Sequence, residues 1–242
     1  MKKKQGSEKM KIYKAELETT EPLLFASKEV SEMYITVPYI HNYTLTYALG
    51  LAESSYIVKK EPSYQEDIKS DIYITPAVFY EYRWHTQSFN TTGEGYYLKM
   101  ERNNVVDLQT LKKVAGKKIR AKNVPQIGIF KMIAAQSKAR FYVLSEKEID
   151  LPRYIRLGKL MSKCKVIYSE VRHEKRYGEF FVKTALNPID IPKSYNIKTF
   201  SVVSMKPSPI IHSMRATGEY LELVDENENL PQMMKYFVFL KE

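Results

Sequence analysis

PQIGIFKMIAAQSKARFYVLSEKEIDLPRYIRLGKLMSKCKV, residues 125–166, sets apolar and aromatic side chains between Lys131, Lys138, Arg140, Arg153, Arg156, Lys159, Lys163 and Lys165. A merely solvated charge run lacks the Ile, Phe and Tyr spacing, and a plain core strand lacks the cations. Two strands are expected here, roughly Gly128 to Ala135 and Lys138 to Leu144, followed by extended segments at YIRLGK and KCKVIYSEV. Cations beside aromatic rings suit a polyanion, because Lys and Arg neutralise phosphates while the rings stack on bases. An ordinary pair of strands with a basic solvent face fits this window equally well, so the rest of the chain has to decide.

The chain has 242 residues, 44% of them hydrophobic, which is enough for one large domain or two small ones with a proper core. Its 38 Lys and Arg against 28 Asp and Glu give a formal charge of +10. That balance favours anionic partners, nucleic acid ahead of a membrane surface. The longest apolar runs, IGIF and YFVFL, are too short to span a bilayer, and no apolar signal-peptide core follows MKKKQGSEKM. A soluble, cytoplasmic protein is expected. The single Cys164 forms no internal disulfide and reads as a small packing residue. No Cys/His group has zinc-ligand spacing, so neither a metal nor a cofactor is expected.

Outward from the opening window, residues 1–9 read as a disordered leader. MKIYKAELET alternates apolar Met10, Ile12, Ala15 and Leu17 with mostly polar residues, the period of a strand. In PYIHNYTLTYALGLAES, Ile40, Tyr43, Leu45, Tyr47, Ala48 and Leu51 recur near helical spacing, with Pro38 at the start. LLFASKEVSEMYITV between them is ambiguous. The middle, DIYITPAVFYEYRWHTQSF and TTGEGYYLKM, is strand-rich, and VVDLQTLKKVAGKKIRAKNVP is basic and poor in core residues, the composition of a protruding loop or hairpin. GEFFVKTAL, TFSVVSM, EYLELV and MKYFVFL supply further strands, separated by Pro-rich breaks. The outcome is a mainly β, α+β protein in which a strand followed by an amphipathic helix opens a ferredoxin-like half.

Three blocks then coincide in order: PYIHNYTLTYALGL at 38–51, YRWHTQSFN with GEGYY at 82–97, and PQIGIFK through LPRYIRLGKLMSKCKV at 125–166. Together they resemble the Cas-five-type subunit of the type I-D CRISPR Cascade complex, over roughly residues 10–242 as a single unit. The resemblance implies an RRM-like (ferredoxin-like) core with a second β-rich part and a protruding thumb-like hairpin. It further implies a non-catalytic subunit that caps the 5′ repeat-derived handle of the guide RNA, meets the backbone-forming subunit and docks the large subunit. Target DNA is a further candidate partner, and no membrane is involved. Two departures stand out: no RNP1-like aromatic octapeptide is visible, so the sheet face need not be the RNA platform, and no Gly-rich loop lies near the C-terminus.

The candidate RNA contacts are residues whose chemistry suits phosphates or bases. Arg153, Arg156, Lys159 and Lys163 lead, because Pro152, Tyr154, Ile155 and Leu157 order the backbone that carries them. Arg83 and His85 share one side of a strand whose other side is expected to bury Trp84; the alternative is that Trp84 is itself an exposed stacking residue. His41 and Asn42 sit at a helix start, where either also serves as a local cap. Lys117, Lys118, Arg120 and Lys122 form the densest basic run. For catalysis, His41, His85, His173 and His212 are scattered with no nucleophile motif and no acidic cluster, so no catalytic residue is assigned. The alternative is a metal-independent endoribonuclease that processes the repeat RNA.

Overall fold

A computed structural model describes residues 10–52, 72–91, 98–101, 104–107, 121–122 and 126–232. In chain order its first strands are β1 (Lys11–Thr19), β2 (Lys28–Val30), β3 (Met33–Ile35) and β4 (Tyr39–Ile40), followed by the single described helix α1 (Asn42–Ala48). Next come β5 (Ile72–Ile74), β6 (Ala77–Glu81), β7 (Trp84–Thr91), β8 (Leu98–Glu101), β9 (Asn104–Asp107), β10 (Ala121–Lys122) and β11 (Gln126–Ile133). The remainder is β12 (Lys138–Ser145), β13 (Tyr154–Leu157), β14 (Ser162–Val171), β15 (His173–Val182), β16 (Asn196–Val203), β17 (Ile210–Leu223) and β18 (Glu228–Pro231). The protein is therefore α+β and dominated by strands, as its sequence predicts. The leader, the C-terminal MKYFVFL and the basic run at 108–120 lie outside the described residues.

The largest sheet has seven strands in the order β13-β14-β1-β12-β6-β4, with β5 also pairing β12, and every pairing is antiparallel. β1 is its centre. Alternation sends Ala15 and Leu17 to one face, where they join Phe141, Val143, Leu45, Ile155 and Val166 in a buried cluster. Ile12 points the other way and packs with Tyr142, Leu144 and Val171 against Phe180, Val182, Met214 and Leu221. Those last four belong to a second sheet, β15-β17-β16 with β18 also on β17. The same face of β1 continues as Lys14, Glu16 and Glu18, opposite Tyr142, Arg140 and Lys138 of β12. One face of the large sheet is thus apolar where the second sheet covers it and charged where it does not.

The smaller sheets are β2-β3-β11-β7, in which β3 and β11 run parallel, and β10-β9-β8. On one face of the former, Phe89 stacks on Phe130 with centroids 4.0 Å apart, and Tyr34 leans on both rings. Gly128 makes room for this packing, because a Cβ there would come within 2.3 Å of Phe89 Cζ.

The predicted helix forms but is shorter and begins later than its apolar spacing suggests. Tyr39–Ile40 is a strand, so Pro38 does not start the helix; His41 does, as N-cap, its Nδ1 accepting from the Tyr43 backbone N–H. A buried polar cluster fixes α1 to the rest. Asn42 Nδ2 and Tyr73 Oη both donate to Asp190 Oδ2, at 2.8 and 3.0 Å, and Asn187 Nδ2 donates to Asn42 Oδ1. Asp190 sits in a 3-10 turn, Pro188–Asp190, and its other oxygen has no partner.

Burial pushes the Asp190 carboxyl from 3.8 up to about 7, the hydrogen bonds from Tyr73 and Asn42 opposing it. The folded-state value lies above the unfolded one, so the stability Asp190 provides is fully present below about pH 4 and is lost as pH climbs towards 7. Asp190→Asn keeps an acceptor for Asn42 and Tyr73 but does not titrate. Its urea-unfolding free energy is expected to vary less than that of the wild type between about pH 4 and about pH 7. Equal slopes in the two proteins would show that Asp190 is not neutral in the fold.

Candidate nucleic-acid interface

β13 and β14 form a hairpin at one edge of the large sheet, turned by Gly158 at φ +73 and Met161 at φ 52. Gly158 is held close to the chain at Leu24, whose carbonyl oxygen a Cβ would meet at 2.5 Å. Ile155, Leu157, Cys164 and Val166 face inward and are buried, which forces the alternate residues outward. Cys164 is a packing residue, as its isolation in the sequence suggests, and burial pushes its thiol up to about 12.

The outward residues are Tyr154, Arg156, Lys163 and Lys165, all exposed, with Tyr154 opposite Lys165 and Arg156 opposite Lys163. Lys163 Nζ stands 4.4 Å from the centroid of the Tyr154 ring, and Arg156 Nη1 donates to the Met161 carbonyl at 2.9 Å. Two cations directly opposed across a pair of strands repel. Among the described residues no carboxylate lies within ion-pair distance of Arg153, Arg156, Lys159, Lys163 or Lys165. The cations of β12 differ: Lys138 pairs with Glu81 at 2.9 Å and Arg140 with Glu16 at 3.0 Å. The structure therefore brings Arg153, Arg156, Lys159 and Lys163 together in one exposed element whose side chains form no ion pair among the described residues; of the carboxylates around it, Glu21 accepts from the Lys163 backbone N–H at 2.9 Å, and Glu18 lies opposite Lys165 on β1. Tyr154 and Lys165, absent from the predicted contacts, belong to the same face; the alternation in YIRL and KCKV carries that signal.

A second exposed group lies where β6 passes into β7. Trp84 is 40% exposed, not core, which corrects the expectation that the indole faces inward. The reason is pairing: β7 is an edge strand beside β11, and Trp84 shares its outer face with Lys131, whose Nζ lies 4.5 Å from the ring centroid. Tyr82 meets Trp84 edge-on at 5.5 Å, and Tyr80, also exposed, is covered by the Arg140 guanidinium at 5.2 Å. Arg83 and His85 are exposed as well, His85 on the opposite face of β7 from Trp84. The alternation YEYRW was the available signal for this row of rings.

His41 and Asn42 are buried, 2% and 0% exposed, which corrects their placement as surface contacts. Asn42 is committed to Asp190 and Asn187, and His41 caps α1 while its Nε2 lies 3.0 Å from Ser208 Oγ. Burial lowers the imidazole to about 4, so His41 is neutral near pH 7. With Nδ1 accepting, the ring proton is on Nε2. Lys122 ends β10, its side chain undescribed, and Lys117, Lys118 and Arg120 lie outside the described residues. Among the described residues no group of three or more His, Cys, Asp and Glu is placed to hold a metal ion, and no helix is long and apolar enough to cross a membrane.

An exposed ring beside a cation is a stacking platform for an unpaired base. The chain has one Trp, so titrating it with single-stranded RNA at low salt is expected to quench the emission of Trp84. Unchanged emission on a bound complex would remove Trp84 from the interface.

A search of curated proteins finds no match. Among solved structures, a CRISPR protein from Archaeoglobus fulgidus aligns with 10% identity over 90% of this chain and 98% of its own, at a TM-score of 0.41. The family described as "Type I-D CRISPR-associated protein Cas5/Csc1" matches residues 10–239, nearly the whole chain, and agrees with the three sequence blocks. The chain belongs to that type I-D CRISPR-associated family.

Proposed function

We propose that this chain is a non-catalytic subunit of a type I-D CRISPR complex that binds the 5′ repeat-derived handle of the guide RNA. The observation that carries the reading is the β13–β14 hairpin, with its row of exposed cations that form no side-chain ion pair among the described residues and its Tyr154 ring against Lys163. Single-stranded RNA is held in this way, phosphates by Lys and Arg and splayed bases by aromatic planes. Membership of the family supports the setting, a CRISPR complex.

The strand order adds support. β14-β1-β12-β6, antiparallel throughout and with α1 between β1 and β6 in sequence, is the order of a ferredoxin-like sheet. The second helix of that fold is replaced by the segment that carries β13. Everything from β7 to β11 is inserted between β6 and β12, the place we assign to a thumb-like extension towards the backbone-forming subunit. The face covered by β15 and β17 is closed to RNA, which leaves the hairpin edge and the Tyr80–Trp84 row open. The large subunit and target DNA remain proposed partners of the assembled complex.

If the five hairpin cations each neutralise a phosphate, log affinity against log salt is expected to fall with a slope of about −3.5. Arg156→Ala and Lys163→Ala each weaken binding of repeat-derived RNA by about 1–3 kcal/mol, the range for charge-assisted contacts, while the melting temperature stays near that of the wild type. Incubation of the full chain with repeat RNA should leave the RNA intact, with or without divalent metal. Cleavage that disappears in His85→Ala while RNA binding survives would instead make the chain a ribonuclease, since loss of a catalytic His lowers rates by about 10² to 10⁴.

A further inference from the structure

A cleft of about 330 Å³ opens beside the hairpin turn, between the loop after Leu24, the β2–β3 hairpin, the start of α1 and the segment Met205–Pro207. Phe25, Tyr34 and Tyr39 give it aromatic walls, and two cations, Lys159 and Lys206, and one carboxylate, Glu29, stand on it. Ser27 lines it and is 4% exposed, yet its Oγ has no hydrogen-bond partner. The Ser27 backbone is already engaged, its N–H donating to the Phe25 carbonyl and its carbonyl accepting from Lys206 N–H, so only the hydroxyl is left over. A buried hydroxyl without a partner is unfavourable by roughly 1–3 kcal/mol unless something fills the role.

We infer that this cleft takes one unstacked nucleotide of single-stranded RNA, its base between the aromatic walls and against Ser27 Oγ, its phosphate on Lys159 and Lys206. The inference rests on the RNA-binding reading above and extends it from a charged surface to a shaped site. Volume, polarity and charge each favour this occupant. About 300 Å³ is the lower end of small-ligand pockets, the size of a single nucleotide rather than a longer segment. Aromatic walls with a buried, unpartnered hydroxyl in the lining suit a flat heterocycle that has an apolar face and a polar edge. Lys159 has no carboxylate partner among the described residues, and Lys206 is only loosely opposed by Glu29 at 3.7 Å. An ion pair that exposed contributes little, so a phosphate can displace it. Lys159 also sits in the turn between β13 and β14, so the cleft adjoins the hairpin that carries Arg156 and Lys163. His41 forms part of the lining as a neutral group and neither attracts nor repels the phosphate.

The test is an abasic scan on the full chain, using a single-stranded repeat-derived RNA in which one base at a time is removed along the strand. In the wild type, one position is expected to weaken binding by about tenfold when its base is missing, the loss of one stacked base. Ser27→Leu fills the cleft: it should weaken the intact RNA and abolish the penalty at that position. Lys159→Ala, on an exposed side chain that the fold does not need, should reduce the same penalty and serves if Ser27→Leu does not fold. Arg156→Ala should weaken every RNA alike and leave the sensitive position unchanged. A flat scan on RNA that binds well, or a sensitive position indifferent to both cleft variants, overturns the cleft and leaves the RNA-binding reading standing. Failure of the wild type to bind any RNA overturns that reading itself. Competition by poly-glutamate that matches the RNA at this site would make it an acidic-peptide groove and likewise overturn the inference.

Discussion

The rest of the structure depends on the pairing of β1 on both sides, with β12 along one edge and β14 along the other. A strand hydrogen-bonded on both edges has its register fixed, and a slip by one residue would exchange its two faces. That fixed register sends Ala15 and Leu17 into one core and Ile12 into another. It also decides where charge can lie, since Glu16 and Glu18 follow Ile12 on the same face just beyond the cover of β15 and β17. At the boundary, Lys14 pairs with Glu226 at 2.7 Å, and Glu226 also stands 3.9 Å from Arg140. Where it meets the large sheet, the second sheet therefore has an ion-paired rim.

Beyond that rim the distribution of carboxylates separates structural cations from available ones. β12 runs beside Glu-bearing β1 and β6, so Lys138 and Arg140 find partners. β13 is an edge strand whose one neighbour, β14, is itself basic, and Arg156 faces Lys163. Exposed ion pairs add little to stability, about 0–1 kcal/mol each. Their value here is as a marker: they show which cations the protein has neutralised for itself and which it leaves for something else. The inward side chains Ile155, Leu157, Cys164 and Val166 hold the hairpin rigid, so its unpaired cations are presented from an ordered backbone.

The interior holds polar chemistry of a different kind. Asn42, Tyr73, Asn187 and Asp190 form a buried hydrogen-bonded group whose carboxyl burial pushes up to about 7, and burial keeps His41 nearby neutral near pH 7. They cap α1 and fasten it to the 3-10 turn, and the start of α1 forms one wall of the cleft through His41 and Thr44.

Much of this was legible in the amino-acid order, because it follows from local period and chirality. The alternation in MKIYKAELET marks β1, the punctuated window at 125–166 marks β11 to β14, and inward Ile155 and Leu157 already imply outward Arg156. His41 as a helix cap needed only its neighbours. What needed the tertiary structure are the outcomes set by partners far away in sequence. Alternation says that Ile12 and Ala15 face opposite ways but not that both faces are covered, since the second cover comes from β15 and β17. Trp84 looks like core by composition, yet an edge position beside Lys131 leaves it in solvent. Asn42 looks like a surface contact until Asp190, 148 residues on, takes its amide into the interior. The cleft gathers Ser27, Tyr39, Lys159 and Lys206 from four separate segments, and proximity of that kind is fixed only when the sheets pack.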